Sequence, residues 1–371
     1  MVAGGRNACA ALLFGPAKMS CFNYPQRKIT RMTTSLSDRY FARGREFLGC
    51  KYPFMCGAMT WVSEPRLVST VCNEGGFGCL AGGNSPTAIL EQQIDTTREL
   101  TDKPFAVNLV TLAPAYREHL ELLKRKPVPY VIFAGGFPRE QDLSMMKDTG
   151  AKVMCFASTH SIAARMIRWG ADAIILEGTE AGGHIGQITL TVLLQQVLFT
   201  TDEVPVFVAG GITEGRFCAH LFMMGAAGIQ MATRFAVAHE SIAHANFKDA
   251  IIRANARDAA ATPQFDSRLP VVSVRALKNK GTDEFGHLQL DLLGKLDRGE
   301  ITREAAQLQV ETFWMGALRR AVIEGDVQRG SLMAGQSVGL VDKSESVHDI
   351  IMDLVNGTEM ELQRVRKVLC P

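Results

Sequence analysis

The stretch A-D-A-I-I-L-E-G-T-E-A-G-G-H-I-G, residues 171–186, decides how this chain folds. Its first six residues, apolar but for Asp172, are a run of strand length. The chain then breaks into a glycine-rich loop with one histidine, His184, at its tip. A nearly continuous apolar run is expected where both faces of a parallel sheet are covered. Glycine in the loop lets backbone N–H groups approach a ligand, because no Cβ intervenes. A histidine held there is well suited to move protons near neutral pH, the alternative being a structural turn residue.

Outward from this stretch the same rhythm repeats. Apolar runs fall at 53–57, 77–81, 105–109, 130–134, 152–156, 171–176, 204–208 and 228–231. Amphipathic stretches at 64–73, 86–100, 115–125, 139–149, 161–169, 190–200 and 214–224 separate them as helices. This alternation argues for repeated βα units around a parallel sheet. Eight units fit an α/β fold of the (β/α)8 TIM-barrel type. A two-domain Rossmann arrangement is the alternative, but no G-x-G-x-x-G follows the first strand.

After residue 231 the pattern changes. Residues 240–256 read as helix, 262–275 as loop with two prolines, and 283–355 as charged helices interrupted at 324–330. The expected organisation is an unstructured extension over 1–47 and a barrel over 48–240. Residues 241–371 then form a mostly helical cap near the catalytic mouth, with C-terminal helices completing the barrel.

Composition narrows the function classes. The 371 residues are 47% hydrophobic and 21% charged, with a formal net charge of +2. That balance gives no case for nucleic acid. No run reaches the ~18–20 apolar residues of a membrane helix. The nine cysteines are scattered, which fits a reducing compartment such as the cytoplasm. No His, Cys or carboxylate cluster has metal-ligand spacing; a monovalent cation on backbone carbonyls would leave no trace in sequence. Residues 1–37 lack Asp and Glu but carry Arg6, Lys18, Arg27, Lys28 and Arg31. That pattern leaves three readings: an organellar transit peptide, a weak signal sequence on the apolar patch 9–14, or an extension upstream of a true start at Met19 or Met32.

In an α/β barrel the active site lies at the carboxyl ends of the strands. After the first strand, C-G-A-M-T-W places Gly57, Ala58 and Met59 where a flat ring can lie on the backbone, or where a plain tight turn needs glycine. Asn108 ends the third strand, as an amide toward a heterocycle or as a turn cap. A-G-G-I-T-E-G after the seventh strand and G-I-Q-M-A-T-R-F in the eighth are the loops where barrels bind phosphate. Gly210, Gly211 and Thr233 suit that task; Arg234 adds charge or pairs at the surface. FMN meets the three requirements of a phosphate site, a flat pocket and redox chemistry that no side chain provides. Sugar-phosphate aldolases and isomerases share the first, with Glu177 or Glu180 as their carboxylate.

These segments resemble the nitronate monooxygenase (2-nitropropane dioxygenase) family, which includes the FMN-dependent enoyl-acyl-carrier-protein reductase II. The likeness spans residues 52–357. It implies that Gly57, Ala58 and Met59 lie beside the flavin and that Asn108 reaches its ring. Glu177, Gly182 and Gly183 correspond to the loop packing by the ring and ribityl chain. Gly210 and Gly211, with Gln230, Met231, Ala232 and Thr233, correspond to the phosphate segments, and His184 to the catalytic histidine. Ala232 is a departure, since the family usually has glycine there. Trp61-Val62, residues 240–244, Lys278-Asn279 and especially 324–341 look more like the reductase branch. That branch implies NAD(P)H as co-substrate and an enoyl thioester, carried by acyl carrier protein, with His184 supplying or positioning a proton. The nitronate branch implies oxidation of alkyl nitronates with oxygen, with His184 as base or nitro-group donor. A flavin-binding protein without turnover and a homodimeric state are both compatible with these features. His220 reads as packing, His244 as a substrate or loop contact. Cys56 lacks a neighbouring base or cation that would make it a nucleophile.

Overall fold

The computed structural model describes residues 35–83, 85–262, 265–269 and 273–370. Eight parallel strands close into a barrel in chain order. They are β1 (Phe54–Cys56), β2 (Phe77–Ala81), β3 (Ala106–Val110), β4 (Tyr130–Ala134), β5 (Lys152–Ala157), β6 (Ala173–Glu177), β8 (Val206–Ala209) and β9 (Gly228–Met231). The label β7 belongs to a two-residue strand, Gly183–His184, outside the barrel. Closure comes where β1 meets β9, with Met55 opposite Gln230, and the Gly57 N–H donates to the Met231 carbonyl at 2.8 Å. The expected (β/α)8 barrel is the fold.

Alternation along each strand divides the core. Met55, Phe77, Ile132, Met154, Ile175 and Phe207 fill the barrel interior. Their neighbours Phe54, Leu80, Val131, Val153, Ile174 and Val208 face the helical shell. Successive strand side chains point to opposite faces, and a barrel packs both.

The first helix, α1 (Leu36–Leu48), lies within the span expected to be an extension. Ser35 caps it, accepting from the Asp38 N–H, and Gly49 ends it at φ 65°. Its end plugs the barrel: Leu48 joins the interior cluster, and Phe47 packs against Tyr130 and Phe207. The extension expected to run to residue 47 is therefore helical from Leu36, and its earlier part lies outside the described residues.

Helices follow the strands where expected: α2 (Pro65–Asn73), α3 (Thr87–Leu100), α4 (Tyr116–Arg125), α5 (Glu140–Asp148), α6 (His160–Arg168), α7 (Leu190–Leu193), whose expected span to residue 200 continues instead as a π-helix over Leu194–Leu198, and α8 (Gly215–Met223). The eighth unit is interrupted. After β9 comes only one turn, α9 (Thr233–Ala236), and then an insertion. It contains α10 (Ala245–Arg253), β10 (Ala259–Ala261), β11 (Val274–Leu277), α11 (Lys280–Asp297) and α12 (Arg303–Val322). The last helix, α13 (Val347–Leu369), packs on α8, α1 and α2 and occupies the eighth helical place. Gly215 makes its close approach possible, since a Cβ there would meet the Leu354 carbonyl oxygen at 2.6 Å.

Two expectations need correction. Helix covers Ala245–Arg253 rather than 240–256, and the span read as loop ends in strand β11. β10, β11 and β7 form a three-stranded antiparallel sheet. V-R-A-L is too short a pattern to announce a strand, with its arginine buried.

Candidate active site

β6 delivers Glu177 to the carboxyl rim of the barrel, and the glycine loop begins there. The Gly178 N–H donates to Ala209 O at 3.1 Å, and the Thr179 N–H to Ile188 O at 2.9 Å. The loop then becomes β7 and pairs with the cap: His184 lies opposite Val274, and Gly183 opposite Arg275. Arg275 is buried and clamps the turn, its Nε donating to Thr179 O at 3.1 Å and Nη1 to Ala259 O at 2.7 Å. On the other side Gln336 N–H donates to Glu180 O at 2.9 Å. A Cβ on Gly182 would meet the backbone of Ala334 at 2.5 Å. The His184 loop is thus a fixed seam between barrel and cap.

One cavity opens beside this seam. Gly57, Ala58, Met59, Asn108, Glu177, Gly182, Gly183, His184, Gln230, Ala232 and Thr233 all line it. Three residues expected at the site do not reach it. Met231 is buried in the wall, where its carbonyl closes the barrel. Gly210 and Gly211 stand at φ 96° and 71°, conformations that favour glycine, and let the 178–181 loop fold over them. Gly211 faces a separate recess with Glu180, Gln336 and Ser337.

Burial sets the protonation of the cavity's acid and base. It pushes the Glu177 carboxyl up to about 8 and lowers the His184 imidazole from its ordinary value. Both groups are therefore mainly neutral at pH 7: Glu177 can donate a hydrogen bond, and His184 can accept a proton. Asn108 is buried, with Nδ2 3.4 Å from Ile132 O. The Gln230 side chain lies over Gly57, where a Cβ would come within 3.1 Å of its Nε2.

The turn after β1 is held by a residue that sequence reasoning missed. Ser63 Oγ donates to Gly57 O at 2.8 Å and accepts from the Met59 N–H at 2.9 Å. Within this turn Trp61 adopts φ 68°, the one non-glycine residue with positive φ among the described residues. A bulky side chain in that region is strained. Ala232 is different: its φ of −127° is ordinary for an L-residue, so the extra methyl costs no backbone strain.

The remaining candidates have structural duties. Arg234 is buried and pairs with Glu345 at 2.9 Å and Asp353 at 2.8 Å, tying α9 to α13. His220 pairs with Glu361 of α13 at 2.9 Å. His244 caps α10, its Nδ1 accepting from the Asn246 N–H at 3.1 Å. Burial pushes the Cys56 thiol up to about 12, far from a thiolate at neutral pH. Glu180 accepts from the Leu190 N–H, which leaves Glu177 as the carboxylate facing the cavity.

Sequence reasoning also missed the opposite wall. Phe247 of α10, then Trp314, Leu318 and Val322 of α12, and Met333 beyond it complete the cavity. The three α12 residues recur every fourth position, the spacing of one helical face.

An eight-stranded barrel carries a neutral acid, a half-buried histidine and backbone-lined walls at its carboxyl rim, and the relatives of the chain are oxidoreductases, as is this protein. The nitronate monooxygenase family model matches residues 43–126 and 110–357, and the chain belongs to that family. A curated relative from Rhodococcus jostii is a (3aS,4S,5R,7aS)-5-hydroxy-7a-methyl-1-oxo-octahydro-1H-indene-4-carboxyl-CoA dehydrogenase. It is 31% identical over 333 residues, covering 84% of this chain and 93% of the relative. FabK from Thermotoga maritima has a TM-score of 0.78 and 33% identity, covering 88% of this chain and 98% of its own. Nitroalkane oxidase from Streptomyces ansochromogenes has a TM-score of 0.71 and 25% identity, covering 85% and 98%. The family is flavin-dependent. Among the described residues no helix is long and apolar enough to cross a membrane.

Proposed function

We propose that this chain uses FMN and NAD(P)H to reduce the carbon–carbon double bond of an enoyl thioester. The carrying observation is the cap wall. Phe247, Trp314, Leu318, Val322 and Met333 make the side facing the polar barrel residues apolar. An acyl chain gains by burial against such a wall, whereas a small nitronate leaves most of it uncovered. The carboxyl-CoA substrate in the name of the Rhodococcus relative supports a thioester. Coenzyme A or acyl carrier protein would carry it.

The residues present fit an FMN. Gly57, Ala58 and Met59 offer backbone to a flat ring, and Asn108, neutral Glu177 and Gln230 bring hydrogen-bonding groups into the same cavity. Gly182, Gly183, Ala232 and Thr233 would hold its tail. FMN supplies hydride transfer when bound. The reaction consumes NAD(P)H and one proton, leaving NAD(P)+, with hydride on the β-carbon and the proton on the α-carbon. His184, neutral at pH 7, would position the thioester and the water that gives the α-carbon its proton.

Anaerobic mixing of the flavin-loaded protein tests this reading. Bleaching by NAD(P)H and colour return with an enoyl thioester are expected. Bleaching by an alkyl nitronate alone would overturn it in favour of nitronate oxidation, with His184 as the base toward a nitroalkane.

A further inference from the structure

The loops after β3 and β4 carry a second recess just outside the cavity. Val110 and Gly135 line the cavity, while Thr111 and Phe137, one and two residues further on, line the recess. The Thr111 N–H donates to Ala134 O at 3.0 Å, locking the two loops together. Gly135 and Gly136, at φ 65° and 144°, turn the β4 loop so that the rim serves both the cavity and the recess.

The recess is basic and aromatic. Its one buried acid, Asp142, is satisfied: it accepts from Tyr116 Oη at 2.9 Å, Arg117 Nη1 at 2.7 Å and the Arg139 N–H at 3.0 Å. Arg117 neutralises that carboxylate. The guanidinium groups of Arg139 and Arg165 make no ion pair among the described residues. Phe137 is 58% exposed at the mouth, and Arg165 lies 5.9 Å from its ring centroid. Thr111 Oγ1 is a buried polar atom with no hydrogen-bond partner among the described residues, and Thr111 belongs to the recess lining. Gly136 preserves the space around it, since a Cβ there would come within 2.4 Å of that oxygen.

Uncompensated guanidinium groups favour phosphate, and an exposed ring beside them favours a stacked base. We propose that this rim binds the adenosine diphosphate arm common to nicotinamide dinucleotides and coenzyme A. Such a ligand would lie across the β3 and β4 loops, with its reactive end inside the cavity. The inference rests on the reading of the cavity as a site that uses one or both of these compounds.

The test is equilibrium binding of ADP, NADH and coenzyme A to the flavin-loaded protein, followed by calorimetry, for wild type, Arg139→Ala and Phe137→Ala. Each variant changes an exposed side chain, and the flavin spectrum reports an intact cavity. ADP is expected to bind wild type and to weaken about tenfold in Arg139→Ala, the loss of one charge-assisted contact. Parallel weakening of NADH identifies the electron donor as occupant, and parallel weakening of coenzyme A identifies the carrier. Unchanged ADP affinity in both variants, or a loss confined to ADP, overturns the proposal. Failure of NAD(P)H to bleach the flavin while ADP binding still depends on Arg139 overturns the enoyl reductase reading instead.

Discussion

The two walls of the cavity are built on different principles. The barrel wall is main chain and small residues at strand ends, with Asn108, Glu177 and Gln230 fixed by parallel register. The cap wall is a set of large apolar side chains on α10, α12 and the segment after it. A wall of backbone cannot change without disturbing the barrel. A wall of side chains can change its volume freely. Under the proposed function, cofactor and proton chemistry would fall to the barrel wall and substrate choice to the cap wall. His184 stands on the seam, in a barrel loop held by a cap strand.

The strongest way to break this division is His184→Ala. Turnover should fall about 10²–10⁴-fold, the usual contribution of a positioned acid or base. Flavin content, read from absorbance, should stay at the wild-type level. Turnover that survives with every enoyl thioester would take the proton chemistry away from the barrel side.

Glu177→Gln follows. Burial raises the carboxyl from 4.5 to about 8, so the folded protein binds a proton more tightly than the unfolded chain does. Stability from this group is full below pH 4.5 and is lost as pH rises to about 8. The linked energy is at most roughly 5 kcal/mol. In denaturant titrations of flavin-free protein, the glutamine variant should lose this part of the pH slope and surpass wild type at high pH. Parallel pH profiles would show that Glu177 is ionised throughout.

These two residues also show what could be read from the chain. Glu177 and His184 were legible because β6 is buried on both faces, which leaves a continuous apolar run with a glycine loop after it. That the loop is itself a strand was not legible, because its partner β11 is distant in sequence and only four residues long. The glycines at 210 and 211 declared a backbone requirement: their positive φ lets the 178–181 loop pack over them, outside the cavity lining. The cap wall was hidden for another reason. Ala306, Val310, Trp314, Leu318 and Val322 form one stripe of α12 whose first part packs into the core of the cap, so periodicity alone does not say which part of it meets the barrel.

Gly182→Ala probes the seam itself. The new Cβ would meet the backbone of Ala334 and Gly335 at 2.5–2.6 Å, and backbone cannot swing aside. A loss of about 1–3 kcal/mol in denaturant stability is expected, the ordinary cost of overpacking. An unchanged midpoint would mean that barrel and cap are only loosely joined. Leu318→Ala acts on the cap alone. It should shift relative kcat/KM toward bulkier acyl groups by about tenfold, within the range for a change in an apolar pocket, and leave flavin affinity unaltered. A change in flavin affinity of the same size would merge the two walls into one site.

Ala232→Gly should have the smallest effect. The position lines the cavity, and the resembling family usually carries glycine there, yet φ −127° asks for none. Removing the methyl frees the unfolded chain and should cost about 0.5–1 kcal/mol of stability. Flavin affinity, measured by titration into flavin-free protein, should change less than about twofold, because a contact made through backbone N–H groups does not depend on that methyl. A tenfold tightening would mean that the methyl stands where the flavin tail must lie. The barrel wall would then be a surface shaped by side chains, like the cap wall opposite it.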